Sequence, residues 1–371
     1  MDDKIKESLI NALYEQAETE VSTHRYDRAI DTIDKLMGFV EEGNNYVGRI
    51  NLLLAKIYKY RGQFESAKAS AIEALGFYEE TNDMKQIAIC RELLGDIYYQ
   101  FCKYQQAIEE WNIVLEVVSP MKMEEEWKFK GEMHVKLGKL LITLSQYDKG
   151  RWHYIKGFAC AQSIDDKYLM GRCQMGIGIT YHLENHLKKA LRFYNRALKL
   201  VGKSGNKILL GRILHSIGDV YTKLGNLDKA EIKYKKSLEI SEKTGDFLTS
   251  AATLREMGRL HLKLSDEKTT FYCEKSLNKL IENVSAENQG ECERLMGKIF
   301  YLLALYNFQN DKNTIALKNL VEAGEIFKKF NMKKEKKRAE ILYATITGEA
   351  VKSGPAPKTK ESLLSKLGIV N

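Results

Sequence analysis

A small residue returns about every 40 positions along most of the chain, and this repetition restricts the possible folds more than any other feature of the sequence. The spacing is 40 from Gly178 to Gly218 and again from Gly218 to Gly258. It is longer between Gly95 and Gly138. The whole series is Ala55, Gly95, Gly138, Gly178, Gly218 and Gly258. A fixed period of roughly 20 to 50 residues is typical of architectures in which one small unit is stacked many times.

The copy at residues 211–246 shows what each unit contains. Apolar and small residues spaced three and four apart in its first half predict one buried face of a helix, here named helix A. Gly225 and Asn226 then interrupt this spacing with residues that tolerate a left-handed backbone, and Asp228 is predicted to cap a second helix, helix B. Gly245 is predicted to end helix B. Each repeat is therefore predicted to be an antiparallel helical hairpin.

Helix B carries its own series of small residues, and aromatic residues follow four positions after the later ones. The small residues are Ala29, Ala67, Ala107, Gly150, Ala190 and Ala230, and the aromatic residues are Trp111, Tyr154, Tyr194 and Tyr234. We expect the small residue of helix A to face the large residue of helix B. This arrangement resembles the tetratricopeptide repeat (TPR). The 40-residue length is similar to the long-helix TPRs of kinesin light chains, G-protein-modulating spindle proteins and bacterial peptide-sensing regulators.

The resemblance implies an all-α fold, a right-handed superhelix (α-solenoid) of about eight TPR-like helical hairpins with a C-terminal capping helix. We predict one superhelical domain over residues 1–350, with the hairpin 4–42 as its N-terminal cap and a helix at 332–350 as its C-terminal cap. The charged insertion MKMEEEWKFK after Pro120 is predicted to lengthen a connection or the next helix. Residues 351–371 are predicted to be a linker and a short apolar segment, which packs locally or docks in a groove of the same or a neighbouring molecule.

The composition agrees with long helices in a soluble chain. Charged residues make up 29% and hydrophobic residues 44%, and three prolines in 371 residues leave long helices uninterrupted. No apolar run approaches the roughly 20 residues of a membrane span, and the first residues do not resemble a signal peptide, so we expect a cytoplasmic protein without membrane contact. Six cysteines are scattered without a CxxC pair and are predicted to be buried thiols.

The TPR resemblance implies that helix A lines a concave ligand-binding groove. Its groove positions lie six and three residues before the small residue and one, four and five after it. Counting from Ala55, Gly178, Gly218 and Gly258 gives the candidate groove residues. They are Arg49, Lys56, Lys59, Arg172, His182, Arg212, His215, Asp219, Lys223, Arg255, Arg259 and Lys263. Most are cationic, and Glu92, Asp96 and Glu132 form an acidic interruption between two basic stretches.

These cationic positions predict a ligand that carries negative charge. Arg172, Arg212, Arg255 and Arg259 are expected to converge, and guanidinium groups suit carboxylates or phosphates better than single lysines do. An acidic peptide or protein segment is the predicted partner. The alternative is that the charges solvate an exposed helix face or pair with neighbouring carboxylates. The net charge of +8 and the basic run at 333–338 permit nucleic-acid contact, which we disfavour, and a homo-oligomer is left open.

Motifs for catalysis or metal binding are missing from the sequence. Gly202-Lys203-Ser204 lacks the preceding glycine of a phosphate-binding loop, and no zinc-protease, nucleophile-elbow or kinase signature is present. His182 and His186 are four apart, but a predicted hairpin turn falls between them. The sequence therefore predicts no enzyme, no metal and no cofactor.

Two functions follow from the resemblance. The first is a protein- or peptide-binding scaffold, or regulatory adaptor, that uses a basic concave groove. The second is a bacterial signalling-peptide receptor of the TPR type that acts on a response regulator or the transcription machinery. Against a full match to the second class, no DNA-binding helix-turn-helix and no separate three-helix effector bundle is expected ahead of the repeats.

Overall fold

A computed structural model describes residues 3–41, 44–119, 124–264, 266–285 and 288–348. Within these ranges the chain forms seventeen helices and no strands, so the predicted all-α class is confirmed. None of the helices in the described part of the chain has the length and apolar character that crossing a membrane requires. The apolar segment predicted within residues 351–371 lies outside the described residues.

The chain divides into two compact units, Met1–Leu169 and Met170–Asn371. The helices of the first unit are α1 (Asp3–Ser22), α2 (Tyr26–Met37), α3 (Tyr46–Tyr60), α4 (Phe64–Glu80), α5 (Met84–Gln100), α6 (Tyr104–Val117), α7 (Glu124–Thr143) and α8 (Tyr147–Ser163). The second unit begins within the first turn of α9 (Lys167–Leu183). Its further helices are α10 (Leu187–Ser204), α11 (Lys207–Lys223), α12 (Leu227–Thr244), α13 (Phe247–Lys263), α14 (Lys268–Asn283), α15 (Gln289–Gln309), α16 (Asn313–Lys329) and α17 (Lys333–Thr347).

Odd-numbered helices up to α15 are the A helices, and each is followed by its B helix, so the described residues contain the eight expected hairpins and a final helix. Within each unit, a B helix packs on the A helix that follows it. Contacts between sequence neighbours are what stabilise a stacked-repeat fold. The organisation of residues 1–350 as a single domain stays a prediction.

The expected contact between a small residue of helix A and an aromatic ring of helix B is present at Gly95, Gly138, Gly178 and Gly218, but at Gly258 an added Cβ atom would lie nearest to Sγ of Cys273, at 3.1 Å. A Cβ atom added to Gly218 would lie 2.5 Å from the ring of Tyr234, and one added to Gly178 would lie 2.6 Å from the ring of Tyr194. Both tyrosines are fully buried, as the B-helix register predicts. Glycine on helix A therefore lets an aromatic ring of helix B lie directly on its backbone.

The hairpin turns confirm most of the residues that were predicted to end helices or form turns. Gly225 and Gly245 have φ angles of +77° and +70°, the left-handed region in which glycine is favoured. One cap differs from the prediction, since Asn226 occupies the N-cap position of α12 and Asp228 lies in the first turn. An acidic residue still suits the positive end of the helix dipole there.

Two further sequence predictions are resolved by the structure. Five cysteines are buried as expected, but Cys102 is exposed. It has a φ of +57° in the turn between α5 and α6, so the prediction of a buried thiol was wrong because this position belongs to a hairpin turn. The insertion lengthens a helix, since α7 has 20 residues whereas α9, α11 and α13 have 17 each. Residues 120–123 lie outside the described residues.

Candidate functional site: a basic cavity in the second unit

The second unit contains a cavity of about 380 Å³ that is formed mainly by its A helices and α17. We name it the basic cavity. It is lined by His182, Leu183, Asp219, Lys223, Arg255, Glu256, Arg259, Leu262, Lys263, Lys298, Tyr301, Leu302, Leu305, Phe327, Glu335 and Arg338. Six cationic side chains therefore face three carboxylates, and leucines with Phe327 supply an apolar wall.

The helical register brings half of the predicted groove residues to this cavity. They are His182, Asp219, Lys223, Arg255, Arg259 and Lys263. Arg172, Arg212 and His215 belong to the same unit but are not among the lining residues. Arg49, Lys56 and Lys59 lie on α3 in the first unit.

Arg212 is engaged in capping a helix. Its Nε donates to Oδ2 of Asp246 at 2.9 Å, and Asp246 is the N-cap of α13, where its Oδ1 accepts from the backbone N–H of Thr249 at 3.3 Å. Burial alone would raise the pKa of Asp246, but the hydrogen bonds from Arg212 and Thr249 outweigh it and lower the pKa. Arg212 therefore helps to fix the start of α13, the helix that supplies three of the cavity's six cations.

His215 and Asp219 belong to a half-buried polar network that reaches the edge of the cavity. Nδ1 of His215 lies 3.0 Å from Oγ1 of Thr253. The hydroxyl of Tyr234 donates to Oδ1 of Asp219 at 2.7 Å, so this carboxylate already has a partner. Arg172 is half-buried on α9. The network fixes α11 against α12 and α13 and leaves the cationic side chains of α13 facing the cavity.

Glu256 is the centre of a buried ion-pair cluster. The residue is 4% exposed, and its carboxylate pairs with Nη2 of Arg255 and, at 2.5 Å, with Nη2 of Arg259. Burial alone would raise the pKa of Glu256, but the two guanidinium groups outweigh it and lower the pKa to about 2. The carboxylate therefore stays ionised near neutral pH, and it holds both arginines at the cavity wall.

The lysines of the cavity lie in a positive environment. Burial lowers the pKa of Lys223 and of Lys263, and the neighbouring Arg259 lowers both further. Burial also lowers the pKa of Lys298, and Arg255 adds to the effect. Among the described residues, Lys263 and Lys298 have no carboxylate within ion-pair distance. A bound anion would relieve this mutual repulsion.

Several buried polar atoms at the cavity have no hydrogen-bond partner among the described residues. They are Nε of Arg255, Nε of Arg259, Nε2 of His182 and the hydroxyl of Tyr301. Burial lowers the pKa of His182 to about 4, so its ring is neutral at pH 7. Buried polar groups are nearly always satisfied in folded proteins. The unused Nε–H groups of Arg255 and Arg259 and the hydroxyl of Tyr301 fit a ligand that brings acceptor oxygens.

Sequence reasoning did not place five polar residues of the cavity, namely Glu256, Lys298, Tyr301, Glu335 and Arg338. A signal existed for two of them, because counting from Ala304 in α15 places Lys298 six residues before it and Tyr301 three before it. Glu256 lies two residues before Gly258, outside the groove positions of the resemblance. Arg338 lies on α17, which follows the last hairpin and has no B helix to set a register.

Two carboxylates of the predicted acidic interruption, those of Glu92 and Asp96, are paired with lysines inside the first unit. Nζ of Lys59 lies 3.0 Å from Asp96, while Nζ of Lys136 lies 2.8 Å from Glu92 and 2.5 Å from Asp96. Lys59 is thus engaged in an ion pair that joins α3 to α5. Arg49 and Lys56 instead line a separate cavity of the first unit.

No group of three or more potential metal ligands occurs among the described residues. The turn between α9 and α10 separates the two histidines that sequence spacing singled out: His182 is buried and His186 is exposed. His186 has Glu184 as its neighbour, at 3.7 Å. The pair therefore does not form a site on one helix face.

Residues 211–244 match the sequence model of the tetratricopeptide repeat. Comparison with curated proteins gives no match. Among solved structures, aspartyl phosphate phosphatase F from Bacillus subtilis is 14% identical with a TM-score of 0.61, over 85% of this chain and 93% of that one. A Rap protein complexed with Competence and Sporulation Factor is 12% identical with a TM-score of 0.58, over 92% and 98%. The apo form of the quorum sensor NprR from B. thuringiensis is 14% identical with a TM-score of 0.54, over 92% and 99%.

At these identities the likeness concerns the fold alone. The resemblance to TPR proteins, including the looser one to bacterial peptide-sensing regulators, is confirmed at that level. The chain is therefore a helical-repeat protein with the fold of TPR-type solenoids, in which residues 211–244 carry a recognisable tetratricopeptide repeat.

Proposed function

We propose that the protein is a binding scaffold or regulatory adaptor that takes up an acidic peptide or protein segment in the basic cavity. The observation that carries the proposal is the excess of cationic side chains, six against three carboxylates, in a cavity where Nε of Arg255 and Nε of Arg259 have no hydrogen-bond partner among the described residues. Charge-assisted hydrogen bonds from guanidinium groups to carboxylates are among the strongest polar contacts in proteins. A carboxylate side chain of the ligand satisfies these donors.

The apolar wall of the basic cavity places a second requirement on the ligand. Leu262, Leu302, Leu305 and Phe327 lie in the same cavity as the cations, and its volume of about 380 Å³ falls within the roughly 300–1,000 Å³ usual for ligand sites. A ligand with an acidic residue next to a large apolar one fills both parts. We therefore assign the cavity a role in binding, because its cations and its apolar wall both suit a peptide.

A second candidate function is a signalling-peptide receptor that acts on a response regulator or the transcription machinery. The observation that favours it is the fold shared with a Rap protein complexed with Competence and Sporulation Factor and with the quorum sensor NprR. This candidate also uses a peptide-binding cavity. The two differ in the ligand, which is a short free peptide for a receptor and a segment of a larger protein for an adaptor.

Binding to an array of synthetic peptides tests the proposal. The array contains N-acetylated, C-amidated heptapeptides and the same sequences with free termini, and hits are re-measured by fluorescence anisotropy. We expect peptides with Asp or Glu beside a large apolar residue to be retained over their Asn or Gln counterparts. Retention that requires both free termini would favour the receptor, whereas retention of blocked peptides would favour the adaptor.

Substitutions test whether acidic peptides bind in the basic cavity. Lys263→Gln with Lys298→Gln removes two cations that have no ion pair, so it should preserve the fold while weakening acidic-peptide binding about 100-fold, at roughly tenfold per charge. Lys207→Gln with Lys236→Gln is the matched control, because it removes two exposed lysines that lie outside the cavity, and it should change affinity less than about threefold. Unchanged affinity in the double lysine variant, or a preference for neutral peptides, would refute the proposal.

A further inference from the structure

The cations of the basic cavity fall into two groups, one around each arginine that pairs with Glu256. Arg255 and Arg259 are four residues apart on α13, so their backbone positions differ by about 6 Å along the helix axis. The carboxylate of Glu256 pairs with both guanidinium groups. It therefore holds the two arginines in place while each remains next to a different set of cavity residues.

The first group, which we name the Arg255 end, contains Arg255, Lys298, Tyr301 and Arg338. Helices α13 and α15 pack on each other, and Lys298 and Tyr301 are three residues apart on one face of α15. Burial lowers the pKa of Lys298 and Arg255 lowers it further, whereas Glu335 opposes the change from beyond ion-pair distance. Burial raises the pKa of Tyr301 to about 12, so its hydroxyl stays protonated and can donate. That hydroxyl and Nε of Arg255 have no hydrogen-bond partner among the described residues.

The second group, which we name the Arg259 end, contains Arg259, Lys263, Lys223 and His182. Burial lowers the pKa of both lysines, and Arg259 lowers both further. Nζ of Lys223 donates to the backbone carbonyl of His182 at 3.3 Å, and Asp219 already accepts from a tyrosine hydroxyl at 2.7 Å. Nε of Arg259 and Nε2 of His182 have no hydrogen-bond partner in the described part of the chain.

The two ends have the same unmet requirement. Each combines an arginine Nε–H group that has no acceptor with a lysine, Lys298 or Lys263, that forms no ion pair among the described residues. A single carboxylate brings its two oxygens to one place, so it can serve one end and leaves the other unchanged. The cavity has six cations against three carboxylates, an excess of three positive charges. Two ligand carboxylates, one at each end, would meet both requirements.

The distance between the ends indicates an extended ligand. In an extended chain, side chains two residues apart point to the same side and lie about 6.6 Å apart, close to the spacing of the two arginines along α13. Side chains four apart on a helix have a similar spacing. However, a helix about 10 Å across fills roughly 420 Å³ per turn, which exceeds the cavity volume of about 380 Å³. An extended segment is therefore the form that fits.

We propose that the basic cavity selects an extended segment in which one residue separates two acidic residues, with one carboxylate bound at the Arg255 end and the other at the Arg259 end. The first carboxylate accepts from Nε of Arg255, Nζ of Lys298 and the hydroxyl of Tyr301. The second accepts from Nε of Arg259 and Nζ of Lys263. This inference rests on the proposed function and narrows its ligand from any acidic segment to a diacidic one.

The spacing is tested on the wild-type protein with acetylated, amidated heptapeptides. Each begins with Ser-Leu-Glu and carries a second glutamate at one of the four remaining positions, which are otherwise serine. Fluorescence anisotropy should show that the peptide with one residue between its glutamates binds about tenfold more tightly than the same peptide with glutamine as the second acid, because it gains charge-assisted hydrogen bonds. At the other three positions the second glutamate should improve binding less than about threefold.

The results separate this inference from the proposed function. A single glutamate that binds as tightly as the pair, or an equal gain at every spacing, would overturn the diacidic ligand and leave the proposed function intact. No preference for glutamate over glutamine at either position would refute the proposed function itself.

Two lysine variants test whether the carboxylates bind at different ends. Lys298→Gln and Lys263→Gln should each weaken binding of the diacidic peptide about tenfold. Each variant should lose this effect when one glutamate of the peptide is replaced by glutamine, and the glutamate should differ between the two lysines. Lys207→Gln, at an exposed lysine outside the cavity, is the matched control and should bind as the wild type does. If the same glutamate cancels both lysine effects, the two lysines serve one carboxylate and the inference is overturned.

The lysine variants are expected to fold, since neither Lys263 nor Lys298 forms an ion pair among the described residues. Circular dichroism melting checks this. The spacing series uses the wild-type protein, so it tests the inference whether or not a variant folds.

Discussion

Replacing Glu256 with glutamine should destabilise the second unit, because the substitution keeps the shape of the side chain and removes the negative charge between two arginines. The pKa of Glu256 is lowered from 4.5 to about 2, which corresponds to about 3 kcal/mol at roughly 1.4 kcal/mol per pKa unit. Breaking one side of a buried ion pair typically costs about 3 to 5 kcal/mol. The two figures agree, and we expect a loss of about 3 kcal/mol in the free energy of unfolding.

The pH dependence of this stabilisation has a definite sign. A carboxylate whose pKa is lowered on folding stabilises the folded state fully above its unfolded pKa, here about 4.5, and progressively less as the pH falls towards about 2. The wild type should therefore lose stability over that acidic window, and Glu256→Gln should lose less of it. The same substitution leaves both guanidinium groups without their counter-ion, so affinity for acidic peptides should rise while stability falls.

Urea titrations at pH 7 and about pH 3, followed by circular dichroism and by hydrogen exchange of α13 and α15, measure the loss of stability and its pH dependence. Fluorescence anisotropy measures the affinity for acidic peptides. Glu239→Gln is the matched control, since Glu239 is exposed and its only described pairing is with Lys243 one turn away at 2.7 Å. Such surface pairs contribute little to stability, because water and salt screen them. If Glu256→Gln unfolds at the same urea concentration as Glu239→Gln, the buried cluster does not stabilise the unit and the reasoning fails.

Two further predictions concern hairpin packing and proton linkage. Gly218→Ala places a Cβ atom 2.5 Å from the buried Tyr234 ring, whose hydroxyl is held by Asp219, and should lower the free energy of unfolding by about 1 to 3 kcal/mol. In the control, Gly202→Ala, the added Cβ meets no atom within 4 Å, so this variant should be neutral or more stable by up to about 1 kcal/mol. The urea midpoints of the two variants are compared, and equal midpoints would count against tight packing at Gly218. Because Lys223, Lys263 and Lys298 have lowered pKa values that a bound carboxylate would raise, acidic-peptide binding at about pH 9 should take up protons, and calorimetry in two buffers of different ionisation heat that shows no uptake would contradict this.

The fold could be predicted from the sequence because its contacts are local. Gly218 and Tyr234 are sixteen residues apart on two helices joined by a turn at Gly225, so the register of one hairpin places them together. The turn at Cys102 could not be recognised from the sequence. Its backbone has the left-handed conformation of the other hairpin turns, but a cysteine does not indicate that conformation as a glycine does.

The cavity was only partly predictable, because its charges are paired across repeats. Arg212 and Asp246 are 34 positions apart, and no helical period decides whether a helix A arginine faces a groove or the cap of a neighbouring helix. Glu256 stands where other copies have Lys136, Gly176 or Ser216, so the register of the repeats gave no sign of its buried ion pairs.

The contact between Gly218 and Tyr234 has a consequence for how these repeats can change during evolution. Where helix A carries alanine at this position, at Ala55 and Ala304, the residue sixteen positions later is the smaller Ala71 or Leu320 in place of an aromatic ring. The two sites therefore vary as a pair whose combined volume is limited. A lineage that enlarges one member must already have reduced the other, so the order of mutations is restricted even though each hairpin is free to diverge from its neighbours.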